Sequence, residues 1–313
     1  MPATRRSRLT TWALRGLLGL LALFALLVGY SLYVVYSFDT ETLPSLHGEV
    51  DAQLYAPEGP PRPLIVGLGG AEGGNSWASD RWMAQRDRFQ AQGYAFLSLG
   101  YFGMPGTPER LDRIALDGVH AAIQRAQQSA AVSKQCVILV GGSKGAELAL
   151  AMGAHYPDID AVVALSPADT VFPAHTDAMT TSSWSKDGQP LPFAPMPWSA
   201  TWDFLRGDIG AVMQRILDGE AAPAARIPVE RIKGPLLLVA ASEDEMWPAL
   251  GMSQRIVERL DAAGFDHAHR LIEVPGGHAE SIRHFDRVEA FLREHVATLP
   301  DCAPRPQPSA IQH

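Results

Sequence analysis

The sequence CVILVGGSKGAELAL, residues 136–150, contains the feature that decides the fold. The apolar run CVILV predicts a strand buried on both faces, and the alanine- and leucine-rich residues from Lys144 onward predict a helix. Between them, Ser143 lies in a G-x-S-x-G pattern bounded by Gly141 and Gly145, which is typical of a sharp strand-to-helix turn. Small residues are needed on both sides because strand and helix pack closely there. We therefore predict that Ser143 is a nucleophile presented at the end of a strand.

Two backbone N–H groups are expected to stabilise the negative charge that develops when Ser143 attacks a carbonyl carbon. The N–H of Lys144 is one, because it lies at a helix N-terminus, where the helix dipole favours negative charge. The second should come from a loop after an earlier strand, and the apolar strand LIVGL runs directly into the glycine-rich residues 69–74. We expect this donor to be the N–H of Ala71, or that of Gly70 if the turn is tighter.

A serine nucleophile needs a histidine to accept its proton and a carboxylate to orient that histidine. In folds with this turn the chain order is serine, then aspartate or glutamate, then histidine. His278 follows the predicted strand LIEV through a flexible Pro-Gly-Gly turn, and Asp244 lies just past the predicted strand LLLVA. We predict Asp244 as the carboxylate, with Glu243 and Asp169 as alternatives.

Helix and strand patterns alternate along most of the chain. Strands are predicted at residues 50–55, 63–68, 94–99, 136–140, 161–165, 236–240 and 270–274, and helices at residues 77–92, 108–128, 144–155, 208–218 and 281–298. Continuous apolar strands indicate a mostly parallel sheet covered by helices on both faces. Together with the serine turn and the ordered acid and base, this predicts the α/β-hydrolase fold over residues 39–299.

Two segments break this alternation. Residues 169–234 are rich in proline and tryptophan, and a segment of this length inside a compact domain is usually functional. We interpret it as a cap over the active site, with a surface insertion as the alternative. The proline-rich residues 300–313 are expected to be disordered.

Composition excludes some classes of function. The 313 residues carry a net charge of -8, and no long basic run occurs beyond the first fifteen residues. This argues against a nucleic-acid surface and favours a small-molecule substrate. Cys136 and Cys302 show neither a disulfide framework nor a zinc-ligand spacing, so the cysteines do not indicate a redox compartment. Serine chemistry needs no metal or organic cofactor, and we expect none.

Residues 1–38 are predicted to form a membrane anchor. Arginines at positions 5, 6, 8 and 15 precede an uncharged run of 21 residues, 16–36, which is long enough to cross a bilayer. A buried core helix is the alternative, but the run has no polar face. Its bulky, tyrosine-containing end lacks a small-residue cleavage site, so the anchor should stay uncleaved. Arginines before the run and acids after it predict a single pass through a bacterial inner membrane, with the catalytic domain in the periplasm.

Several short motifs resemble one known family. They are YFG at 101–103, GSKGAE at 142–147, Trp184 with DG at 187–188, IKGP at 232–235 and PGGH at 275–278. Over residues 64–299 the chain resembles the C-terminal catalytic domain of acyl-CoA thioester hydrolases and bile acid-CoA:amino acid N-acyltransferases, which are related to dienelactone hydrolases. The resemblance implies that Ser143, Asp244 and His278 are the family triad, with serine where the amino acid-conjugating transferases carry cysteine. We expect the membrane anchor to take the place of the N-terminal β-sandwich domain of the animal enzymes.

The expected activity is hydrolysis of a carboxylic ester or acyl thioester through an acyl-serine intermediate, since serine favours transfer to water. Acyl transfer to an amine or alcohol is one alternative, and a catalytically inactive, membrane-tethered binding module is another. Coenzyme A thioesters are cytoplasmic, whereas the predicted topology places the domain outside the cytoplasm. The acyl chain and the leaving group therefore stay open at this point.

Overall fold

A computed structural model describes residues 5–305 of the protein. Its strands are β1 (Asp51–Tyr55), β2 (Arg62–Leu68), β3 (Ala95–Gly100), β4 (Ile114–Ala115), β5 (Val132–Gly142), β6 (Ala161–Leu165), β7 (Trp184–Lys186), β8 (Gln189–Pro190), β9 (Leu236–Ala241) and β10 (His269–Val274). Seven of them form one sheet in the order β1-β3-β2-β5-β6-β9-β10, in which β1 is antiparallel to β3 and the other neighbours are parallel. Strands β4, β7 and β8 form a small second sheet.

The helices are α1 (Arg5–Ser37), α2 (Met83–Ala91), α3 (Leu116–Ala126), α4 (Lys144–His155), α5 (Thr201–Leu205), α6 (Ile209–Leu217), α7 (Ala249–Ala263) and α8 (Phe285–Phe291). A π-helical turn, Leu292–Val296, continues α8. The predicted helix at 108–128 begins only at Leu116, because the N–H groups of Arg113 and Ile114 donate to backbone carbonyls at residues 182 and 183. Tertiary pairing therefore overrides the local helical pattern there.

Apolar side chains cover both faces of the seven-stranded sheet. Along β2, Leu64 and Val66 belong to a cluster that includes residues of α3, α4 and α7, whereas Ile65 between them packs with residues of α2 and α8. Successive side chains of a strand point to opposite faces, so helices cover the sheet on both sides. The predicted α/β arrangement is confirmed.

Strand register brings the carboxyl ends of several strands together at one edge of the sheet. Leu68, the last residue of β2, pairs with Gly141, and Gly142 pairs with Leu165 at the end of β6. The ends of β9 and β10 meet in the same way, through the pair Ala241 and Val274. In open parallel sheets this edge is where ligands bind.

The segment 169–234 is built into the domain rather than standing apart from it. Its first part runs through the interior, where Thr170, Ser182 and Trp184 are fully buried. Further along, Ala200 and Val212 belong to a third apolar cluster, which also contains Trp247 and residues of α7.

A disulfide joins Cys136 of β5 to Cys302, with 5.2 Å between the two Cα atoms. The sequence interpretation, which found no disulfide in these two cysteines, was wrong on this point. Both residues are fully buried, so Cys302 packs against the domain, within the segment 300–313 that was expected to be disordered. The rest of the proline-rich segment, 306–313, lies outside the described residues, as do residues 1–4.

Helix α1 contains a stretch, Trp12–Ser37, that is long and apolar enough to cross a membrane, and no part of this stretch is buried. At 1.5 Å per residue its 26 residues extend about 39 Å. The connector after the helix is held by the guanidinium of Arg113, which donates to the carbonyl oxygens of Asp39 and Thr40.

Candidate active site

Ser143 lies at the turn between β5 and α4, with φ 55° and ψ -119°. A side chain in this region of positive φ is strained by about 1 to 3 kcal/mol, so the surrounding structure must hold it there. The Ser143 N–H donates to the carbonyl oxygen of Leu165 at 2.8 Å, and its own carbonyl accepts from the N–H groups of Ala146 and Glu147. These bonds fix the serine at the edge of the sheet.

The two glycines around Ser143 are required by close backbone packing. A Cβ on Gly141 would collide with the carbonyl oxygen of Gly145, the second residue of α4. A Cβ on Gly145 would collide with the carbonyl oxygens of Leu68 and Gly69, at the end of β2. This is the physical basis of the G-x-S-x-G pattern: the nucleophile turn is pressed against the end of β2.

Ser143, His278 and Asp244 form one continuous hydrogen-bonded line. The Nε2 atom of His278 lies 2.9 Å from Ser143 Oγ, and its Nδ1 atom lies 2.8 Å from Asp244 Oδ2. The Asp244 side chain is 2% exposed, and its Oδ1 also accepts from the N–H groups of Met246 and Trp247. An aspartate held this way can orient the imidazole and stabilise its protonated form.

Neither alternative carboxylate takes this position. Glu243 is exposed, and His278 Nδ1 contacts Asp244 instead. Asp169 is buried, but its carboxylate is paired with the guanidinium groups of Arg226 and Arg255. The geometry therefore favours Asp244.

Two residues that the sequence reasoning missed hold the backbone of His278. The carboxylate of Glu245 accepts the His278 N–H at 2.8 Å, and this hydrogen bond lowers the pKa of the Glu245 carboxyl. Ser166, itself at φ 49°, donates its hydroxyl to the His278 carbonyl oxygen at 2.8 Å. A third, Trp247, places its indole edge-on to the imidazole at 5.6 Å between ring centroids. Adjacency to Asp244 was the only sequence signal for Glu245.

The glycine-rich loop after β2 lies beside Ser143. A Cβ on Gly70 would be 3.4 Å from Ser143 Cβ. The buried hydroxyl of Tyr101 donates to the Gly69 carbonyl oxygen at 2.5 Å and so anchors the loop; burial raises the pKa of Tyr101 well above its ordinary value. Within residues 5–305 the N–H groups of Ala71 and Lys144 donate to no protein acceptor, so both are free to bind a ligand oxygen.

The side chain of Lys144 points away from solvent into a buried ion pair. Its Nζ lies 2.7 Å from Glu147 Oε2 and 2.8 Å from Ser183 Oγ. Glu147 Oε1 accepts from Trp184 Nε1 at 2.7 Å and from the N–H of Phe172. Burial lowers the pKa of Lys144 and raises that of Glu147. The lysine of the GSKGAE motif therefore has a structural partner inside the fold, and only its backbone N–H remains a candidate for catalysis.

A cavity of about 320 Å³ opens at Ser143 and His278. Its walls are mostly apolar, and the larger side chains are Trp77, Trp82, Met246, Ile282 and Phe285. Ala71 also lines it, as do two charged residues, Glu72 and Arg81. None of residues 169–234 contributes to this wall, so the expected cap does not cover the cavity; the segment instead supports Trp247, which contacts His278.

Solved structures with the same fold confirm the architecture. A puromycin-hydrolyzing peptidase from Mycobacterium tuberculosis aligns with a TM-score of 0.54 and 18% identity over 79% of this chain and 38% of that chain. The alpha/beta hydrolase GrgF from Penicillium sp. sh18 aligns with a TM-score of 0.51 and 14% identity over 79% of this chain and 99% of that chain. At these identities the likeness shows the α/β-hydrolase fold and nothing further.

Sequence relatives point to acyl-coenzyme A enzymes. Acyl-coenzyme A thioesterase 1 of Mus musculus is 24% identical over 270 residues, which are 86% of this chain and 61% of that protein. Acyl-coenzyme A amino acid N-acyltransferase 1 of Mus musculus is 26% identical over 233 residues, 74% of this chain and 52% of that protein. The chain thus spans about half to three fifths of these relatives. Residues 115–293, more than half of the chain and including Ser143, Asp244 and His278, match the family described as BAAT / Acyl-CoA thioester hydrolase C terminal, and the chain belongs to this family.

Proposed function

We propose that the protein is a serine hydrolase that cleaves a carboxylic ester or acyl thioester through an acyl-serine intermediate. The observation that carries this proposal is the hydrogen-bonded line from Asp244 through His278 to Ser143, which ends at the wall of an apolar cavity. Family membership and the names of the relatives support an acyl group as the part of the substrate that is transferred.

In the first half of the proposed reaction, Ser143 Oγ attacks the substrate carbonyl carbon while His278 Nε2 accepts the hydroxyl proton. Asp244 stabilises the resulting imidazolium. The N–H groups of Lys144 and Ala71 bind the carbonyl oxygen as it becomes negative. His278 then donates the proton to the leaving oxygen or sulfur as its bond to the acyl carbon breaks. The acyl group stays on Ser143.

In the second half, a water molecule replaces the leaving group. His278 accepts a proton from this water as its oxygen attacks the acyl-serine carbonyl, and then returns the proton to Ser143 Oγ when the ester bond breaks. The products are a free carboxylic acid and the regenerated serine. The apolar walls, with Trp77, Trp82 and Phe285, favour an uncharged acyl chain over a polar one.

We also propose that α1 is a single-pass anchor in a bacterial inner membrane and that the hydrolase domain lies in the periplasm. Two features support this. Arginines precede the apolar run, which by the positive-inside rule keeps the N-terminus in the cytoplasm. The disulfide between Cys136 and Cys302 is of a kind that persists in oxidising compartments and is rare in the cytosol.

The reaction is tested with full-length protein in detergent, using acyl-coenzyme A thioesters and p-nitrophenyl esters of matched chain length. Ser143→Ala should lower the hydrolysis rate by three orders of magnitude or more, because loss of such a nucleophile removes the covalent step. Ser242→Ala, which changes an exposed serine near Asp244, is the matched control and should retain activity. Full activity of Ser143→Ala, or no labelling of Ser143 by a fluorophosphonate, would rule out the proposed nucleophile.

The same assay separates the two leaving groups. Preference for thioesters would agree with the names of the relatives, and activity on simple esters alone would define an anchored esterase. Alkaline phosphatase fused to the C-terminus and produced in a bacterial host tests the topology, because this reporter is active only outside the cytoplasm. An inactive fusion with intact, membrane-bound protein would contradict the periplasmic placement.

A further inference from the structure

Four large apolar side chains are exposed within eight residues of the segment that contains α5. Trp198, Trp202, Phe204 and Leu205 are 58%, 65%, 47% and 71% exposed, and we call them the aromatic patch. Single exposed apolar residues are common on soluble surfaces, but two tryptophans with two further large apolar side chains in so short a segment are typical of an interaction site.

The aromatic patch lies beside the C-terminal part of α1. A groove of about 550 Å³ is lined on one side by Tyr30, Val34 and Val35 of α1. Met196, Trp198 and Phe204 line it from the other side. The patch is therefore continuous with the surface of the candidate membrane span.

The position along α1 sets the depth of this contact. The uncharged run at 16–36 is about 32 Å long at 1.5 Å per residue, close to the thickness of a bilayer's hydrocarbon core. Tyr30 and Val34 then lie in the last two turns of the span. Tyr30, Tyr33 and Tyr36 are all exposed there, in the pattern of the aromatic belt found at membrane–water interfaces.

We propose that the aromatic patch inserts into the interface of the bilayer that α1 spans, as a second membrane contact of the protein. Tryptophan and phenylalanine suit this region because it is apolar on one side and wet on the other. One helix alone leaves the domain free to tilt on the membrane, whereas two contacts fix its orientation.

Charges around the aromatic patch indicate which lipid surface it fits. Asp203 is buried between the patch residues and is paired with both Arg206 and Arg215, and the Arg206 guanidinium lies 5.7 Å from the ring centre of Trp202. Asp208 is the only other charged residue between positions 198 and 215, so two acidic and two basic groups there give no net charge. Insertion therefore rests on apolar and aromatic contact, and a neutral phosphatidylcholine bilayer is sufficient.

The aromatic patch shares a core with the candidate active site. Ala200, next to the patch, packs in the same apolar cluster as Trp247, whose indole meets the imidazole of His278. Insertion of the patch thus holds the triad in a fixed orientation relative to the lipid. The inference rests on the proposed membrane anchor and does not depend on the proposed reaction.

The test uses full-length protein in phosphatidylcholine nanodiscs that hold one copy each, with a nitroxide label on Leu205→Cys. Leu23→Cys in α1 is the lipid reference, and Ala262→Cys, exposed on α7, is the water reference. The native cysteines are bonded and buried, so they do not take the label. Power saturation compares collisions with oxygen, which concentrates in lipid, and with a water-soluble nickel chelate. The label at 205 should prefer oxygen, as at 23, and the label at 262 should prefer nickel.

Replacement of both tryptophans tests whether the patch causes the contact. Trp198→Ser with Trp202→Ser should shift the label at 205 toward nickel, whereas Leu54→Ser, at an exposed leucine of β1, should leave it unchanged. If the label at 205 collided with nickel while the label at 23 stayed in lipid, the inference would be overturned. If both labels collided with nickel, α1 would not span the bilayer. If the label at 205 were protected from nickel only in proteoliposomes that hold many copies of the protein, the patch would contact another copy. That result would also overturn the inference.

Discussion

Lys144 and Glu147 form an ion pair whose side chains are 1% and 0% exposed, immediately after the candidate nucleophile in the chain. Both charged groups have further hydrogen bonds: Glu147 accepts from the indole N–H of Trp184, and Lys144 donates to Ser183 Oγ. Such a pair gains little net stability over apolar packing, but removal of one partner leaves the other charge buried and uncompensated.

Glu147→Leu should therefore destabilise the protein by about 3 to 5 kcal/mol, because it leaves the buried Lys144 ammonium without its counter-charge. The double variant Lys144→Met with Glu147→Leu should recover much of this loss, since no charge remains buried. Urea unfolding of both variants measures the difference. A double variant less stable than Glu147→Leu alone would contradict the account.

Gly145→Ala should abolish activity and lower stability, because the new Cβ would collide with the carbonyl oxygens of Leu68 and Gly69 and displace the loop that carries Ala71. Gly251→Ala is the matched control. It lies in α7, where a Cβ meets nothing closer than Arg255 at 3.9 Å. It should leave activity unchanged and raise stability by up to about 1 kcal/mol through helix propensity. Ester hydrolysis and urea unfolding are measured for both, and equal effects would contradict the packing argument.

Loss of the disulfide should lower the free energy of unfolding by about 3 to 5 kcal/mol, because the bond closes a long loop in the unfolded chain. The sequence separation of Cys136 and Cys302 is 166 residues. Urea unfolding with and without dithiothreitol gives the value for the native chain. The variant Cys136→Ala with Cys302→Ala should be equally unstable and insensitive to dithiothreitol. If dithiothreitol did not change the stability of the native chain and both thiols could be alkylated, the bond would not form.

Acid should destabilise the protein through His175. Burial, with the charge of Lys144 nearby, lowers the pKa of His175 from 6.5 to about 4. The unfolded chain binds a proton at this histidine below pH 6.5 that the folded chain does not bind, so stability falls as pH drops from 6.5 toward 4. This histidine should contribute a loss of about 2 kcal/mol between pH 7 and pH 5. Between pH 7 and pH 5, the free energy of unfolding of His175→Gln should fall by about 2 kcal/mol less than that of the native protein. Equal falls in the two proteins would contradict the assignment.

The sequence was sufficient to predict the parts of the site that lie at strand ends. Ser143, Asp244 and His278 each follow an apolar strand, and parallel strands bring such ends to one edge, so order along the chain predicted proximity in space. The structure brings the three together. Asp169, the alternative carboxylate one strand earlier, does not contact His278 and is paired with two arginines instead.

The remaining features depend on contacts between residues distant in sequence, which no local pattern encodes. Cys302 lies between Pro300 and Pro304 in what reads as a polar tail, yet it packs against β5. Nothing in the run SEDE distinguishes the orienting role of Asp244 from the backbone contact of Glu245. Residues 169–234 predicted a cap from their length, but the sequence did not reveal that about a third of the segment is buried in the domain.

The cross-link between Cys136 and Cys302 has a consequence for biosynthesis. Ribosomes extend a chain at about 5 to 20 residues per second, so the thiol of Cys136 exists for roughly ten to thirty seconds before its partner is made. During that interval the strand leading to Ser143 carries a reactive sulfur with no native acceptor. Oxidation to the native bond must wait until Cys302 has been made, so the bond cannot close while the 166 residues that separate the two cysteines are being synthesised.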